Sequence, residues 1–308
     1  MLTLYIFNSK MKRFIIKIIK YSIVVLILFE IVVRLFTLTN DVPQRDLDEN
    51  GLQVFQKNQE GKSNGHKWKV NSSGFLGHDE VKGENQVLII GDSFVENIMN
   101  PFECRQSSLL KKNGYDVFEI GRSGITFIES LEFYSKYKSE VNPKISIFII
   151  DNSDFEESIQ EINKLNDRVQ ISLKTSQLSL GKIKAKYIKK LLYNYKTLYY
   201  LYLKYLKSQK SIITTQSIKV NHSNKETSIL VDKLIRVSNQ NYDFNDCLFV
   251  FRGGNDYKEL FNQLNLSFIE LNLKGAEYTY SENDSHWSCK GHQIASETIL
   301  EYIGLIRQ

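Results

Sequence analysis

Three prolines, three cysteines and two tryptophans are all that a chain of 308 residues carries, and each scarcity excludes something. So few prolines leave no Pro-rich stalk or polyproline spacer. Cys104, Cys247 and Cys289 lack metal-ligand spacing, and an odd number cannot all pair within the chain, so a disulfide framework is not expected. Charge of neither sign dominates: 40 Lys and Arg stand against 35 Asp and Glu, a net of +5. That excess is spread along the chain and forms no basic stripe of the kind nucleic acid requires. No nucleic-acid partner, metal or cofactor is expected, and there is no internal repeat.

What the chain does have is length enough for one medium α/β domain, a membrane anchor and an insertion. Tyr21–Leu38 reads YSIVVLILFEIVVRLFTL, and Phe14, Ile15, Ile16, Ile18 and Ile19 extend it. A transmembrane helix needs about 20 mostly apolar residues. Lys10, Lys12, Arg13, Lys17 and Lys20 precede the stretch, which keeps that end in the cytoplasm and places the remainder outside it. Glu30 and Arg34 are costly in lipid, but at a spacing of four they pair on one helix face. The alternative is a cleaved signal peptide, with an apolar region of about 7–15 residues and a small-residue cleavage site; no such site stands out. Residues 1–38 are therefore expected to be a cytoplasmic tail and single-pass anchor.

Residues 39–84 are polar, contain Gly51, Gly61, Gly65, Gly74, Gly77 and Gly83, and read as a linker and irregular lead-in. From residue 85 the pattern changes. Strand-length apolar runs appear at Gln86–Ile90, Asp116–Ile120, Ile145–Ile150, Cys247–Phe251 and Leu266–Leu271. Helix-length stretches separate them: Glu103–Asn113, Phe127–Ser139, Phe155–Leu165 and Tyr257–Leu264, with Gly291–Ile306 last. This alternation predicts an α/β fold over 85–308, with about five parallel strands covered by helices on both faces. Ligands in such folds bind at the carboxyl ends of the strands. A helical insertion is expected at about 166–245. Within it Lys182–Lys207 has eight lysines, no acids and many Tyr and Leu residues. Either it is a basic amphipathic face for a membrane or an acidic glycan, or its Tyr/Leu side packs on the domain. A second helix, Lys225–Ser238, closes the insertion.

The first strand runs straight into Gly91-Asp92-Ser93-Phe94. A small residue there permits a sharp turn, and Ser93 then stands at the strand's carboxyl end. A Gly-Asp-Ser tripeptide alone is an ordinary turn. A nucleophilic serine also needs a base and a group to orient it. The one compact candidate is Asp284-Ser285-His286-Trp287, just before the last helix. In an extended segment, residues two apart project to the same side, so Asp284 holds one ring nitrogen of His286 and leaves the other for Ser93. The remaining histidines lie in the lead-in (His66, His78), the insertion (His222) and the last helix (His292).

Taken together these blocks resemble the SGNH/GDSL hydrolase family, which has a flavodoxin-like three-layer sandwich. Gly91-Asp92-Ser93-Phe94 is similar to its first block. Asn71-Ser72-Ser73-Gly74-Phe75 is similar to the Asn-x-x-Gly-Phe lead-in of its membrane-anchored branches. Glu119-Ile120-Gly121-Arg122-Ser123-Gly124 resembles the second block, which implies that the Gly124 amide joins the oxyanion hole. Asp284-Ser285-His286-Trp287, followed by Gly291-His292 and Ala295, resembles the last block in its alginate acetyltransferase-like form. The third block departs from the family's Gly-x-Asn-Asp. Asp151-Asn152-Ser153-Asp154 puts Ser153 in the Asn position and Asn152 one residue away. Gly253-Gly254-Asn255-Asp256 spells the motif but follows the fourth strand.

The resemblance implies a serine-dependent ester hydrolase or O-acyltransferase outside the cytoplasm, acting on an acylated (acetylated) surface glycan. Ser93 is the nucleophile, His286 the base, Asp284 its orienting acid, and Gly124 with Asn152 or Ser153 the oxyanion donors. The alternative is a weak or inactive glycan-binding or assembly protein of the same fold. A phosphatase using Asp92 would want a second acid where Phe94 stands. Cys289 is a poor nucleophile and is expected to pack beneath the last helix.

Overall fold

The computed structural model describes residues 2–77, 86–210 and 224–306. His78, His222, the end of the lead-in and part of the insertion lie outside the described residues. The chain divides into two compact units, one from Met1–Val42 with Ala185–Ile218, the other from Pro43–Lys184 with Lys219–Gln308.

The larger unit is built on five strands: β1 (Gln86–Gly91), β2 (Asp116–Gly121), β3 (Ile145–Ile150), β4 (Cys247–Phe251) and β5 (Phe268–Glu270). They lie in the order β2-β1-β3-β4-β5, all parallel. This is the flavodoxin-like order, with its switch point between β1 and β3. The helices of this unit are α1 (Ser93–Glu96), α2 (Gln106–Lys111), α3 (Phe127–Val141), α4 (Asn152–Glu157), α5 (Asn224–Asn241), α6 (Lys258–Gln263) and α7 (Cys289–Ile306).

Every residue of β1, β3 and β4 is buried, which explains why these strands read as continuous apolar runs and not as alternating ones. The two-residue period still sorts them. Leu88, Ile90, Phe148, Ile150, Phe249 and Phe251 face a core shared with α3, α4 and α5. Val87, Ile89, Ile147, Ile149, Leu248 and Val250 face α2 and α7, where Leu110, Ala295, Ile299 and Ile303 cover them. Together the two faces make the three-layer sandwich that the alternation predicted.

Several elements differ from expectation. The lead-in carries two antiparallel hairpins, Arg45–Leu47 with Gln53–Phe55 and Glu60–Ser63 with His66–Lys69. Its Asn71 side chain accepts from the amides of Ser73 and Phe75 at 3.1 and 2.9 Å. That turn delivers Phe75 into the α3 core, against Phe133 at 5.4 Å between ring centroids. The stretch expected as helix from Glu103 begins as a 3-10 turn at Phe102–Cys104 before α2. Helix α4 starts earlier than Phe155 and ends at Glu157, because Asp151 and Asp154 form a capping box at its start. The insertion opens with a hairpin, Gln170–Ser172 with Gln177–Ser179, and α5 buries Val231, Leu234 and Ile235.

In the smaller unit, Leu2–Leu35 is one continuous helix. Among the described residues, however, no helix is long and apolar enough to cross a membrane, so the expected transmembrane span is not found. Lys20 and Glu30 bound a charge-free run of nine residues, 21 to 29. At about 1.5 Å per residue that run falls well short of a hydrocarbon core about 30 Å thick. Glu30 and Arg34 do pair, at 2.6 Å. Glu30 also accepts from the backbone amides of Lys196 and Thr197 at 3.0 and 2.7 Å, which caps the helix Lys196–Lys210.

Candidate active site

The turn after β1 depends on two glycines. A Cβ at Gly91 would stand 2.7 Å from both the Ile149 carbonyl and Val95 Cγ2. A Cβ at Gly121 would land on the backbone of Val95 and Glu96. Without these side chains, α1 lies across the carboxyl ends of β1 and β2. Asp92 caps it, its Oδ1 accepting from Phe94 N at 3.0 Å. A buried polar network supports the turn from below. The Arg105 guanidinium donates to the carbonyls of Leu76 and Asn97 at 2.9 and 3.4 Å. Glu119 accepts from the amide and hydroxyl of Ser107 at 2.7 and 2.5 Å, and Glu96 from the Ser123 amide. Burial pushes the Glu119 carboxyl above its usual range, against the charge of Arg105 and the Ser107 hydrogen bonds.

Asp284–Trp287 is a short strand paired with Thr279–Ser281, so Asp284 and His286 share a side. His286 Nδ1 lies 2.5 Å from Asp284 Oδ1, and His286 Nε2 lies 2.7 Å from Ser93 Oγ. A carboxylate at Nδ1 fixes the ring proton there, leaving the Nε2 lone pair toward the serine hydroxyl. Burial works to raise the Asp284 carboxyl, but hydrogen bonds from the ring and amide of His286 hold it below the usual range. The structure thus brings Ser93, His286 and Asp284 together in one line.

Phe94 and Trp287 set the histidine's position. The Phe94 ring lies 4.9 Å from the imidazole and meets Trp287 edge-on at 5.0 Å. Trp287 is buried, and its carbonyl accepts from Asn100 Nδ2 at 2.8 Å. Cys289, at the start of α7, is joined to Cys104 in a disulfide, S–S 2.02 Å. No disulfide is expected from three cysteines, yet two of them pair and leave one buried thiol, Cys247. His292 is buried, bonded through Nδ1 to Gln106 Nε2 at 2.7 Å. Burial, then the charge of Arg105, pushes its pKa down to about 3, so it packs as a neutral ring.

Gly124, expected as an oxyanion donor, sits at φ +77°, in a turn closed by Ile125 N to the Arg122 carbonyl at 3.0 Å. Among the described residues nothing accepts from the Gly124 amide. Asn152 is placed differently from expectation. Its Nδ2 donates to the Gly254 carbonyl at 2.9 Å, and its Oδ1 accepts from Asp256 N at 3.3 Å. The two versions of the third block are therefore bonded to each other. Ser153 turns back on Asp151, donating through its amide and its hydroxyl to Oδ1, each at 3.1 Å. Asn255 spends its Oδ1 on Tyr257 N at 2.8 Å.

Two charged groups escape a reading of motifs. Arg252, at the end of β4, lies 3.3 Å from Asp92 Oδ2, 3.9 Å from Asp151 Oδ2 and 4.0 Å from Asp154 Oδ2. Its guanidinium also sits 4.0 Å over the Phe94 ring. Arg168, from the loop after α4, packs beside Gly124. Only the topology, which sets these loops at one edge of the sheet, brings them to Ser93's neighbourhood. Among the described residues no group of three or more His, Cys, Asp and Glu is arranged to hold a metal ion.

Asp154 is pushed up to about 7, first by burial and then by the charge of Asp92, with Arg252 opposing. The folded carboxyl therefore keeps a proton that the unfolded chain releases near pH 3.9. Between those values the native state binds more protons, so this group's contribution to stability falls as pH rises from about 4 to about 7. Asp154→Asn removes the titration. Relative to wild type, its stability should rise by roughly 1–3 kcal/mol between about pH 4 and pH 8. Urea melts of both proteins at the two pH values check this; a gap that does not change with pH contradicts it.

No protein-family model matches the chain, and no curated protein matches it in sequence. Solved structures do match. One is a family two carbohydrate esterase from Clostridium thermocellum in complex with cellohexaose, 14% identical, with 75% of this chain and 67% of that one covered and a TM-score of 0.37. A lipase/acylhydrolase from Enterococcus faecalis is 12% identical, with 71% and 95% covered and a TM-score of 0.36. An acetyl xylan esterase is 10% identical, with 71% and 99% covered and a TM-score of 0.36.

Proposed function

We propose that the chain is a serine-dependent ester hydrolase or O-acyltransferase. One observation carries this reading: Ser93 Oγ, both ring nitrogens of His286 and Asp284 Oδ1 are joined by two consecutive hydrogen bonds of 2.7 and 2.5 Å. Ser93 attacks the acyl carbon as its proton passes to His286 Nε2, while Asp284 steadies the imidazolium. The carbonyl oxygen takes up negative charge facing the Gly124 and Ser93 amides. The tetrahedral species collapses, the ester C–O bond breaks, and His286 returns the proton to the leaving alcohol. Water or an acceptor hydroxyl then attacks the acyl-Ser93 ester as its proton passes to His286; the acyl C–Oγ bond breaks and His286 returns that proton to Ser93 Oγ. The same residues serve hydrolysis and transfer; the acceptor decides between them.

Two features support the setting. The Cys104–Cys289 disulfide belongs to an oxidising compartment, which favours a site outside the cytoplasm. His286 and Asp284 side chains are 28% and 37% exposed, so the reacting atoms lie near the surface. An acyl group borne on a bulky polymer such as an O-acetylated surface glycan reaches them there. The engagement of Asn152 with Gly254 is the observation that favours the second reading, a weak or inactive glycan-binding protein. Fluorophosphonate labelling of the full chain decides between them. An adduct on Ser93, absent in Ser93→Ala, is the expected result; a folded wild-type protein that takes no label overturns the proposal.

A further inference from the structure

A charge stands beside the second block. In the third block Asn152 Nδ2 gives one of its two N–H groups to the Gly254 carbonyl, Ser153 donates to Asp151, and Asn255 Nδ2 is buried without a partner among the described residues. Beside Gly124 lies a guanidinium. A Cβ built on Gly124 would meet Arg168 Cζ and Nη2 at 3.4 Å and Nε at 3.5 Å, so the plane of the group covers the glycine that offers its amide. Arg168 Nη1 pairs with Glu157, the last residue of α4. The helix that begins at Asn152 thus ends on the carboxylate that aims Arg168.

The loop carrying Arg168 is pinned on several sides. The Asp167 carbonyl accepts from Gln53 Nε2 at 3.0 Å, and the Asn166 carbonyl from Lys182 N at 2.9 Å. Gly181 lies so close that a Cβ there would meet the Arg168 backbone at 2.8 Å. The next carbonyl, of Val169, accepts from Thr126 Oγ1 at 2.7 Å, two residues beyond Gly124. Arg168 is therefore held against the second block from both sides. Its side chain is 28% exposed, and among the described residues no hydrogen bond takes its Nε or Nη2. The charges of Arg122, Asp154, Glu129 and Asp92 all act on it.

We infer that Arg168 is the oxyanion-side cation of this site, placing positive charge beside Gly124 where the acyl carbonyl oxygen becomes negative. This rests on the serine-ester reading above. Charge that matters only as the oxygen ionises lowers the barrier without tightening the ground state. Arg168→Gln in the full chain should therefore lower kcat for p-nitrophenyl acetate by about 100- to 1000-fold and leave KM nearly unchanged. Arg168→Lys, which keeps the charge but not the fork, should recover part of the loss. Glu157→Gln, which releases Arg168 without removing it, should cost about 10-fold in kcat by the same logic of a misplaced donor, and serves if Arg168→Gln does not fold. An unchanged kcat in these variants, or an effect wholly in KM, overturns the inference. A wild-type protein without a fluorophosphonate adduct on Ser93 instead overturns the serine-ester reading itself.

Discussion

Ser93→Ala should lower turnover of an ester probe by about four to six orders of magnitude while the protein melts within about 1 kcal/mol of wild type. The asymmetry follows from where the hydroxyl stands. Its Oγ makes one hydrogen bond, to an imidazole that is 28% exposed, so water replaces it at little cost to folding. Among the described residues no other group is hydrogen-bonded to His286 Nε2, so chemistry has no substitute. His286→Ala should cost as much, and the double variant little more, because a nucleophile and its base act as one unit. Asp284→Asn is the more discriminating change. Its amide can present an N–H to Nδ1 and so favour the wrong tautomer, with the ring proton toward Ser93, for a loss of about 10⁴. Measured kcat across the four variants checks the set. More than about 1% residual activity in Ser93→Ala, or losses that multiply in the double variant, would mean that the line from Ser93 to Asp284 is not the reacting unit.

What the sequence makes legible here follows from local physics. β1, β3 and β4 are visible because both of their faces are buried, and a doubly covered strand has to be apolar throughout. Asp284 and His286 are visible as a pair because an extended backbone repeats every two residues. The turn that carries Ser93 is visible because Gly91 and Gly121 answer close approaches that any Cβ would block. Non-local pairings are another matter. Nothing local marks Arg252 or Arg168 as belonging to the site, since a single arginine looks the same whether it meets solvent or Asp92. Register at the third block puts Ser153 in the donor position and Asn152 one residue away, yet it says nothing of Gly254, 102 residues beyond Asn152, whose carbonyl takes the Asn152 amide. Hydropathy over 14–38 suggests a membrane span, whereas the placement of Lys20, Glu30 and Arg34 along the helix breaks it.

Breaking the Cys104–Cys289 link should have the largest effect on stability of any change away from the core. The two cysteines are 185 residues apart, and a cross-link over a loop that long restricts the unfolded chain heavily; loss of about 5 kcal/mol is expected from the chain-entropy model. Cys289→Ser, Cys104→Ser or a reductant should all shift the urea midpoint downward by the same amount. The site should feel it too. Cys289 lies two residues past Trp287, whose carbonyl is held by Asn100 and whose ring packs on Phe94, and Phe94 in turn backs His286. A loosened start of α7 therefore widens the Ser93–His286 distance, and kcat should fall with KM steady. Cys247 provides the control. It is buried, and burial pushes its thiol up to about 12, with the Tyr134 hydrogen bond opposing, so it is inert in the native state. Cys247→Ser should leave the response to reductant intact. A thiol count on the unfolded, unreduced protein settles the premise: one free thiol supports the link, whereas three would remove both the stabilisation and the positioning argued from it.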